Sequence, residues 1–415
     1  MKRGVDLIFD NIKICNPEEV KNNSRIIVEN GLFGKQEKGQ PRVDLKGYVC
    51  YPGLFNSHDH LMGTYYPRVG NGPYLSWKGW DEDLKNSLLY KERGNLSVEE
   101  VYQLSYYRHL LCGVTSVCDH IPLVINRKFI DNPLLRIVEQ YCIAHEISSY
   151  ELPWGDAHHI EIKRAKQKDI PFITHIEEGF DKEALRGVDI LDEKGGLFNR
   201  TVLVHCIGCS SKDIKKIATN GCSMVWCPQS NLFMFNKTAN VRSFLKEGTN
   251  VTIGTDSPMS GGINLFEELR AARDFYNKNY PKPIQPKTLF KMATINAAKA
   301  FKLDKKVGSI TPGKEADYLI LKDKHDDPYE NLINANWHDV YAVARKGKPV
   351  YLREEAADFF GGKSVFSKNY QKALLQTGRI KVKSFFMGNA VSLKTTINKK
   401  LKRDKFFPFL PIITK

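Results

Sequence analysis

The chain has 415 residues, of which 42% are hydrophobic, and it carries a formal net charge of +15. That length and composition argue against a disordered protein and leave room for a large core with an appended domain. No stretch approaches the roughly 18 apolar residues of a membrane span, and the N-terminus lacks the apolar run of a signal peptide, so we expect a cytoplasmic location. The nine cysteines, an odd number, favour reduced thiols in that compartment.

The N-terminal region, residues 1–52, alternates short apolar runs with turn signals. The runs at 5–9 and 25–28 are each followed by Asp, Asn or Gly residues. This pattern is typical of short antiparallel strands joined by tight turns. It returns over residues 307–351, and we expect the two ends of the chain to pair into one small, discontinuous β-sandwich domain.

Residues 53–306, between these ends, alternate strands with helices. Apolar strand-like runs lie at 113–118, 170–174, 201–204, 222–226 and 250–254. Alternation of this kind predicts an α/β fold with a parallel sheet, and a (β/α)8 TIM-like barrel fits it best. Only 57 residues separate Cys118 from His175, which is tight for two further strands and three crossovers of about 12 residues each. Residues 132–150 could hold one long strand or two short ones.

Residues 352–415 form a basic C-terminal extension that fits neither domain. From Arg353 onward there are 14 Lys and Arg against 4 Asp and Glu. A basic tail can attract nucleic acid or anionic lipid, but a solvated surface is the commoner explanation. Two prolines within 406–413 exclude a continuous amphipathic helix there. We therefore expect no nucleic-acid or membrane partner, and a tail that packs on its own barrel or on another copy in a homo-oligomer.

Four of the predicted barrel strands end in residues that can bind a metal ion. These residues are His58 and His60, then His175, His205 and Asp256. Two histidines separated by one residue on an extended segment project to the same side, and the C-terminal ends of barrel strands converge on one face. A single histidine after a strand is more often a packing residue, but four such strand ends together indicate a metal centre.

These motifs resemble the amidohydrolase superfamily over about residues 5–350. The marks are Pro52-Gly53-Leu54 before His58-x-His60, the strand ends at His175, His205 and Asp256 with their flanking residues, and the segments 294–298 and 308–317. The set is similar to the cyclic deaminase and chlorohydrolase branch, which includes the cytosine, guanine and S-adenosylhomocysteine deaminases. That branch combines a barrel with a small β-domain built from both termini.

The resemblance implies a ligand set and a division of roles. The metal ligands would be His58, His60, His175 and Asp256, which suit one divalent ion, zinc or else iron(II). Asp256 would also take a proton from water, Glu178 would protonate the ring nitrogen, and His205 would orient the hydroxide or polarise the leaving group. Glu177 is adjacent to Glu178, but on an extended segment the two face opposite ways, so only one should reach the site.

Aromatic side chains after His60 predict a pocket for a small, flat substrate. Trp77 and Trp80 can stack on a heterocycle, although packing within the loop explains such residues about equally well. Ser230, in a Pro-x-Ser-Asn turn, and His120, after the run at 113–118, are weaker candidates for substrate contacts.

The leading functional prediction is a mononuclear metal-dependent hydrolase that deaminates an aminated heterocycle and releases ammonia. A second is hydrolysis of a cyclic amide or of another C–N or C–X bond on the same scaffold, because pocket shape rather than fold decides between them. The presence of Glu178 favours deamination. A third, of another class, is a non-catalytic binding or scaffold protein; loss of metal ligands would indicate it, and here all are present.

Overall fold

The computed structural model describes residues 6–150 and 152–414; Val5, the first residue of the predicted run at 5–9, lies outside them. The N-terminal strands are β1 (Leu7–Cys15), β2 (Val20–Glu29), β3 (Leu32–Phe33), β4 (Arg42–Asp44) and β5 (Tyr48–Pro52). Strand β1 pairs antiparallel with β2 and parallel with β4 and β5. The predicted strand-and-turn character of this region is therefore what the structure shows.

A set of short, buried strands follows, and every pairing within it is parallel. They are β6 (Leu54–Asp59), β7 (Val114–Asp119), β8 (Arg136–Ile137), β9 (Cys142–Glu146), β10 (Phe172–Ile176), β11 (Thr201–His205), β12 (Ser223–Trp226) and β13 (Asn250–Ile253). Strands β6 to β8 form a three-stranded sheet and β9 to β13 a five-stranded sheet. A parallel bridge between Asp59 and Asp256 links the two sheets next to β6 and β13.

Helices connect and cover these strands. They are α1 (Trp77–Asn86), α2 (Leu88–Arg93), α3 (Val98–Leu110), α4 (Leu123–Ile130), α5 (His158–Lys168), α6 (Gly187–Glu193), α7 (Ser211–Thr219), α8 (Pro228–Phe235), α9 (Val241–Lys246), α10 (Leu265–Asn279), α11 (Pro286–Met292) and α12 (Ile295–Ala300). Their starts follow local sequence signals. Ser97 and Ser210 form capping boxes that begin α3 and α7, and proline occupies the first turn of α8 and α11.

The connection between β8 and β9 is unusually short. It consists of residues 138–141, which contain no helix, and β8 and β9 do not pair with each other in the described parts of the chain. A crossover between parallel strands needs about a dozen residues or more. The tight interval between Cys118 and His175 thus contains two short strands without a crossover helix between them.

The C-terminal region returns to the first sheet. Its elements are β14 (Tyr318–Lys322), α13 (Pro328–Ile333), β15 (Val340–Arg345), β16 (Lys348–Arg353), α14 (Lys363–Asn369), β17 (Tyr370–Thr377), β18 (Ile380–Met387) and α15 (Ala390–Leu401). Pairing of β14 with β5 joins both ends of the chain in one ten-stranded sheet. Residues 370–387, assigned from the sequence to a separate basic extension, form two strands of this sheet beside β16.

The last residues pack on the chain itself. Helix α15 contacts α3, and Phe407, Phe409 and Leu410 are buried. The ring of Phe407 meets that of Tyr65, with centroids 6.2 Å apart, in the segment that follows β6. The tail therefore covers one side of the face at which β6 ends. No helix among the described residues is long and apolar enough to cross a membrane.

Candidate active site

The predicted strand-end residues come together where the parallel strands end. His58 lies in β6 with His60 just after it, His175 lies in β10, His205 ends β11, and Asp256 follows β13. All five are buried or nearly so. Gly254 permits this approach, because a Cβ at that position would lie 2.8 Å from the backbone nitrogen of His58.

Three of these strand ends carry strained backbone. Glu177, His205 and Asp256 have φ angles of 48°, 70° and 59°, in the left-handed region that non-glycine residues rarely adopt. Such strain persists only where the surroundings hold it, and it concentrates at functional sites. The strain is thus a second indication, independent of residue type, that this face is the active site.

The side chains around His58 fit a single metal ion. Its Nε2 lies 3.4 Å from Nε2 of His175 and 3.5 Å from Oδ1 of Asp256. Nε2 of His60 is 3.4 Å from the same carboxylate oxygen. Ligands at about 2.0–2.1 Å from a tetrahedral zinc ion stand roughly 3.3–3.4 Å from one another. These three separations match what an ion held between the atoms requires.

The surroundings keep these ligands in a form that binds metal. Burial lowers the pKa of His60 to about 4, so its ring is neutral at pH 7. Nδ1 of His175 lies 2.8 Å from the carbonyl oxygen of His145, which turns Nε2 toward the site. Burial raises the pKa of Asp256, but the hydrogen bond from His58 and the charges that the nearby imidazoles carry when protonated at low pH lower it below its usual range.

Two hydroxyls fix the second oxygen of Asp256. Oγ of Ser230 donates to Oδ2 at 2.6 Å and Oγ of Ser260 donates to it at 2.5 Å. Ser230, predicted from the sequence as a substrate contact, is therefore bonded to the Asp256 carboxylate. Neither serine lines the chambers described below.

Glu178 and His205 face each other beside the metal-binding group. Oε1 of Glu178 is 3.5 Å from Nε2 of His205, and Nδ1 of His205 lies 2.8 Å from Oδ1 of Asn231. Because the Asn231 oxygen accepts, Nδ1 carries the proton and Nε2 is free to accept. Burial, with the nearby Asp256 and Glu146 charges, raises the pKa of Glu178 well above its usual value. These surroundings favour the protonated form of Glu178, which could donate to a group bound beside His205.

Glu177 faces away from this group. Its Oε1 accepts a hydrogen bond from the backbone N–H of Val188 at 3.2 Å, and its Cβ lies beside Gly208. Burial raises its pKa to about 7. The two adjacent carboxyls face opposite ways, as expected, but not because the segment is extended: Glu177 follows β10 with a left-handed φ of 48°.

Two adjoining chambers open from the metal-binding group. The inner one, of about 130 Å³, is lined by Trp77, Trp80, His145, Trp154, Glu178 and His205, among others. The outer one, of about 380 Å³, includes His120, Tyr66, Tyr90 and Arg93 in its lining. Both share His60, Leu84, Trp154 and Met259. Of the predicted substrate contacts, Trp77 and Trp80 therefore line the inner chamber and His120 the outer.

The indole nitrogens of the two tryptophans are already occupied. Nε1 of Trp77 donates to Oε2 of Glu146 at 2.8 Å, and Nε1 of Trp80 donates to the carbonyl of Val69 at 2.9 Å. Only their ring faces and edges are available to a substrate. Both tryptophans thus combine packing with lining of the chamber.

Several positioning groups had no clear signal in the sequence. Ser260 and Asn231 hold predicted residues through hydrogen bonds, but Ser and Asn are common in turns for other reasons. Asp59, between the two histidines, accepts from Arg108 and from Oγ1 of Thr255, the latter at 2.6 Å. Its carboxylate therefore anchors β6 to neighbouring elements. An alternating strand predicts that Asp59 points away from the histidines, but not which residues it meets.

Comparison with known proteins agrees with this geometry. Residues 157–350 match the amidohydrolase family. The 5-methylthioadenosine/S-adenosylhomocysteine deaminase of Thermoanaerobacter pseudethanolicus is 38% identical over 416 aligned positions, which cover 85% of this chain and 95% of the relative. The enzyme of that name from Thermococcus sibiricus is 32% identical, and its alignment covers 85% of this chain and 93% of the relative. The chain belongs to the amidohydrolase family.

Solved structures share the fold of this amidohydrolase at lower identity. An adenosine deaminase from Xanthomonas campestris with bound zinc superposes with a TM-score of 0.70 at 20% identity, over 84% of this chain and 94% of that one. An atrazine chlorohydrolase from Arthrobacter aurescens in complex with zinc superposes with a TM-score of 0.67 at 17% identity, over 83% of this chain and 95% of that one. This amidohydrolase is a hydrolase of carbon–nitrogen bonds, and its histidine-rich site suits a divalent ion.

Proposed function

We propose that this amidohydrolase removes the 6-amino group of an adenosine-type nucleoside, such as 5-methylthioadenosine or S-adenosylhomocysteine, with release of ammonia. The observation that carries the proposal is the buried Glu178 carboxyl, whose Oε1 lies 3.5 Å from Nε2 of His205 and whose pKa is raised by burial and by the nearby Asp256 charge. A protonated acid at this point suits a ring nitrogen that gains electron density as water adds. Relatives that cover most of the chain are named for this reaction.

We assign the metal site to one ion, zinc in preference to iron(II), held by four side chains from three strand ends. These are His58, His60, His175 and Asp256. His58, His60 and Asp256 lie close enough to share one ion, and Nε2 of His175 is 3.4 Å from Nε2 of His58. When bound, the ion activates water as a nucleophile at neutral pH. The support is the match between their spacing and tetrahedral coordination.

The chain's own residues then handle the protons. Asp256 accepts a proton from the attacking water, and Glu178 donates one to the ring nitrogen as the C–O bond forms at the aminated carbon. His205, fixed by Asn231, accepts a hydrogen bond that orients the attacking oxygen. The proton held by Asp256 passes to the amino group. As the C–N bond breaks and the carbonyl forms, the proton of the new hydroxyl returns Glu178 to its acid form, and ammonia leaves. Trp77 and Trp80 border the space that the flat base occupies.

We also propose that β6 to β13 close into a (β/α)8 barrel over residues 53–306. The bridge from Asp59 to Asp256 supports closure on one side, and solved relatives support it through the fold. The small β-domain would comprise both ends of the chain, with residues 370–387 included because they extend the same sheet.

The proposal is tested by ammonia release. Metal-reconstituted protein, its ion content verified, is assayed with 5-methylthioadenosine, S-adenosylhomocysteine, adenosine, guanine and cytosine, and the Asp256→Ala variant serves as the control for contaminating deaminases. We expect release from adenosine-type nucleosides by the wild type alone. Release from guanine or cytosine only, or hydrolysis of a cyclic amide with no deamination, would overturn the proposed substrate class.

A further inference from the structure

The outer chamber is lined by a cationic side chain, one nitrogen of which is buried without a hydrogen bond to any described residue. Arg93, in the last turn of α2, lines this chamber. Its Nη2 is buried and has no hydrogen-bond partner among the described residues. A buried donor of a charged group that makes no hydrogen bond is costly, and natural proteins rarely leave one without a purpose.

The carboxylates nearest to Arg93 in the chain or in the chamber are engaged elsewhere. Glu92 accepts from the hydroxyl of Tyr65, from Arg403 and from Lys405. Asp119, in the lining of the same chamber, accepts from the backbone of Leu61 and from the hydroxyl of Tyr102. The guanidinium of Arg93 is thus left available to a ligand.

The lining of the outer chamber is largely apolar. Met62, Tyr66, Leu84, Ile121 and Met259 contribute to it. A ligand that extends from the inner to the outer chamber would therefore carry a flat base at one end, an apolar or thioether linker in the middle and an acceptor at the other end. The two chambers, of about 130 and 380 Å³, exceed what a base alone would fill.

We propose that Arg93 is a specificity-determining residue that binds a carboxylate at the end of the substrate's 5′ substituent. The inference rests on the proposed function and adds a preference among its substrates. A guanidinium binds a carboxylate through charge-assisted and often bidentate hydrogen bonds. S-adenosylhomocysteine carries such a carboxylate, whereas 5-methylthioadenosine has the same nucleoside without it. The wild type should accordingly prefer the first.

The test compares kcat/KM for these two nucleosides in the wild type, Arg93→Met, Arg93→Lys and Lys91→Met. Lys91 is an exposed cation on the same helix, so its variant controls for net charge. We expect Arg93→Met to lower the ratio of kcat/KM for S-adenosylhomocysteine to that for 5-methylthioadenosine by about 10–100-fold. Arg93→Lys should give a smaller fall and Lys91→Met none. An unchanged ratio in both Arg93 variants would overturn the inference.

Calorimetric titration separates this inference from the proposed function. If the wild type deaminates neither nucleoside, the proposed function fails. The role of Arg93 is then tested by binding alone. S-adenosylhomocysteine should bind the metal-loaded wild type more tightly than 5-methylthioadenosine does. Arg93→Met should remove that difference in affinity. Equal binding of the two nucleosides, or no binding of either, would reject the role of Arg93. Circular dichroism of each variant verifies that it is folded.

Discussion

Glu177 and Glu178 are neighbours in the chain with opposite surroundings, and they allow a sharp comparison. Glu178→Gln removes the proton donor near His205 and should lower kcat by about 10²–10⁴-fold while the protein keeps its metal. Glu177→Gln changes a carboxyl that contacts Val188 and Gly208, so its kcat should remain within a few-fold of the wild type. Steady-state kinetics with metal analysis of both variants provide the measurement. A larger loss in Glu177→Gln would reverse the assignment.

At the scale of single residues, the sequence predicts the convergence of the metal-binding group well. His and Asp directly after apolar strands are visible as a pattern, and parallel strands bring their ends to one edge. The pattern does not distinguish a side chain that lines a chamber from one that supports a ligand. Ser230 illustrates this, because its hydroxyl bonds Asp256. Arg93 is similar: in sequence it is one more charge on a polar helix, and only burial of Nη2 sets it apart.

Among the elements, the C-terminal tail makes a specific contact with α2. Burial raises the pKa of Glu92, but hydrogen bonds from Tyr65, Arg403 and Lys405 outweigh it and lower the pKa to about 2. Lys405 also lies 4.6 Å from the centroid of the Tyr65 ring. Because Glu92 adjoins Arg93, this cluster connects the tail to a wall of the outer chamber.

The pH dependence of stability tests this cluster. A carboxyl with a depressed pKa stabilises the folded state above its unfolded pKa of about 4.3, and that contribution is lost as the pH falls toward the folded value. The double variant Arg403→Gln, Lys405→Gln should therefore melt below the wild type at pH 7, and the gap should narrow at about pH 3.5. Lys402→Gln, an exposed cation on the same segment, is the matched control. A gap of equal size at both pH values would contradict the prediction.

Strands β17 and β18 show why the tail was hard to predict from sequence. Both have alternating burial along part of their length, for example Ala373 and Leu375 inward and Lys372 and Gln376 outward. The abundant lysines on the outer face dominate the composition and conceal the period of two. The composition indicated a solvated basic surface. That describes the exposed face of β17 and β18 but not their buried face. A homo-oligomer remains a prediction.

For the molecule as a whole, the order of strands and helices in residues 53–306 follows from the alternation of apolar runs with helical stretches. The exception is the interval between β7 and β10. Its strands are too short for a reliable periodic signal, since β8 spans Arg136–Ile137 alone. A two-residue strand such as β8 is defined by its pairing with β7, and the local sequence does not encode that pairing. The interval length did indicate that two strands and three full crossovers fit there only tightly, but not that the helix between β8 and β9 is the part left out.

The short connection between β8 and β9 leaves a seam that an ion at the active site would help to close. His58 and His60 extend from the three-stranded sheet, whereas His175 and Asp256 extend from the five-stranded sheet. A bound ion would therefore act as a cross-link between the two sheets. Without it, local opening between the sheets should be more frequent. Chelation should speed amide hydrogen exchange in residues 136–146 more than in β14 to β16, and zinc should restore protection. Equal acceleration in both regions, or none, would mean that the sheets hold together without the ion.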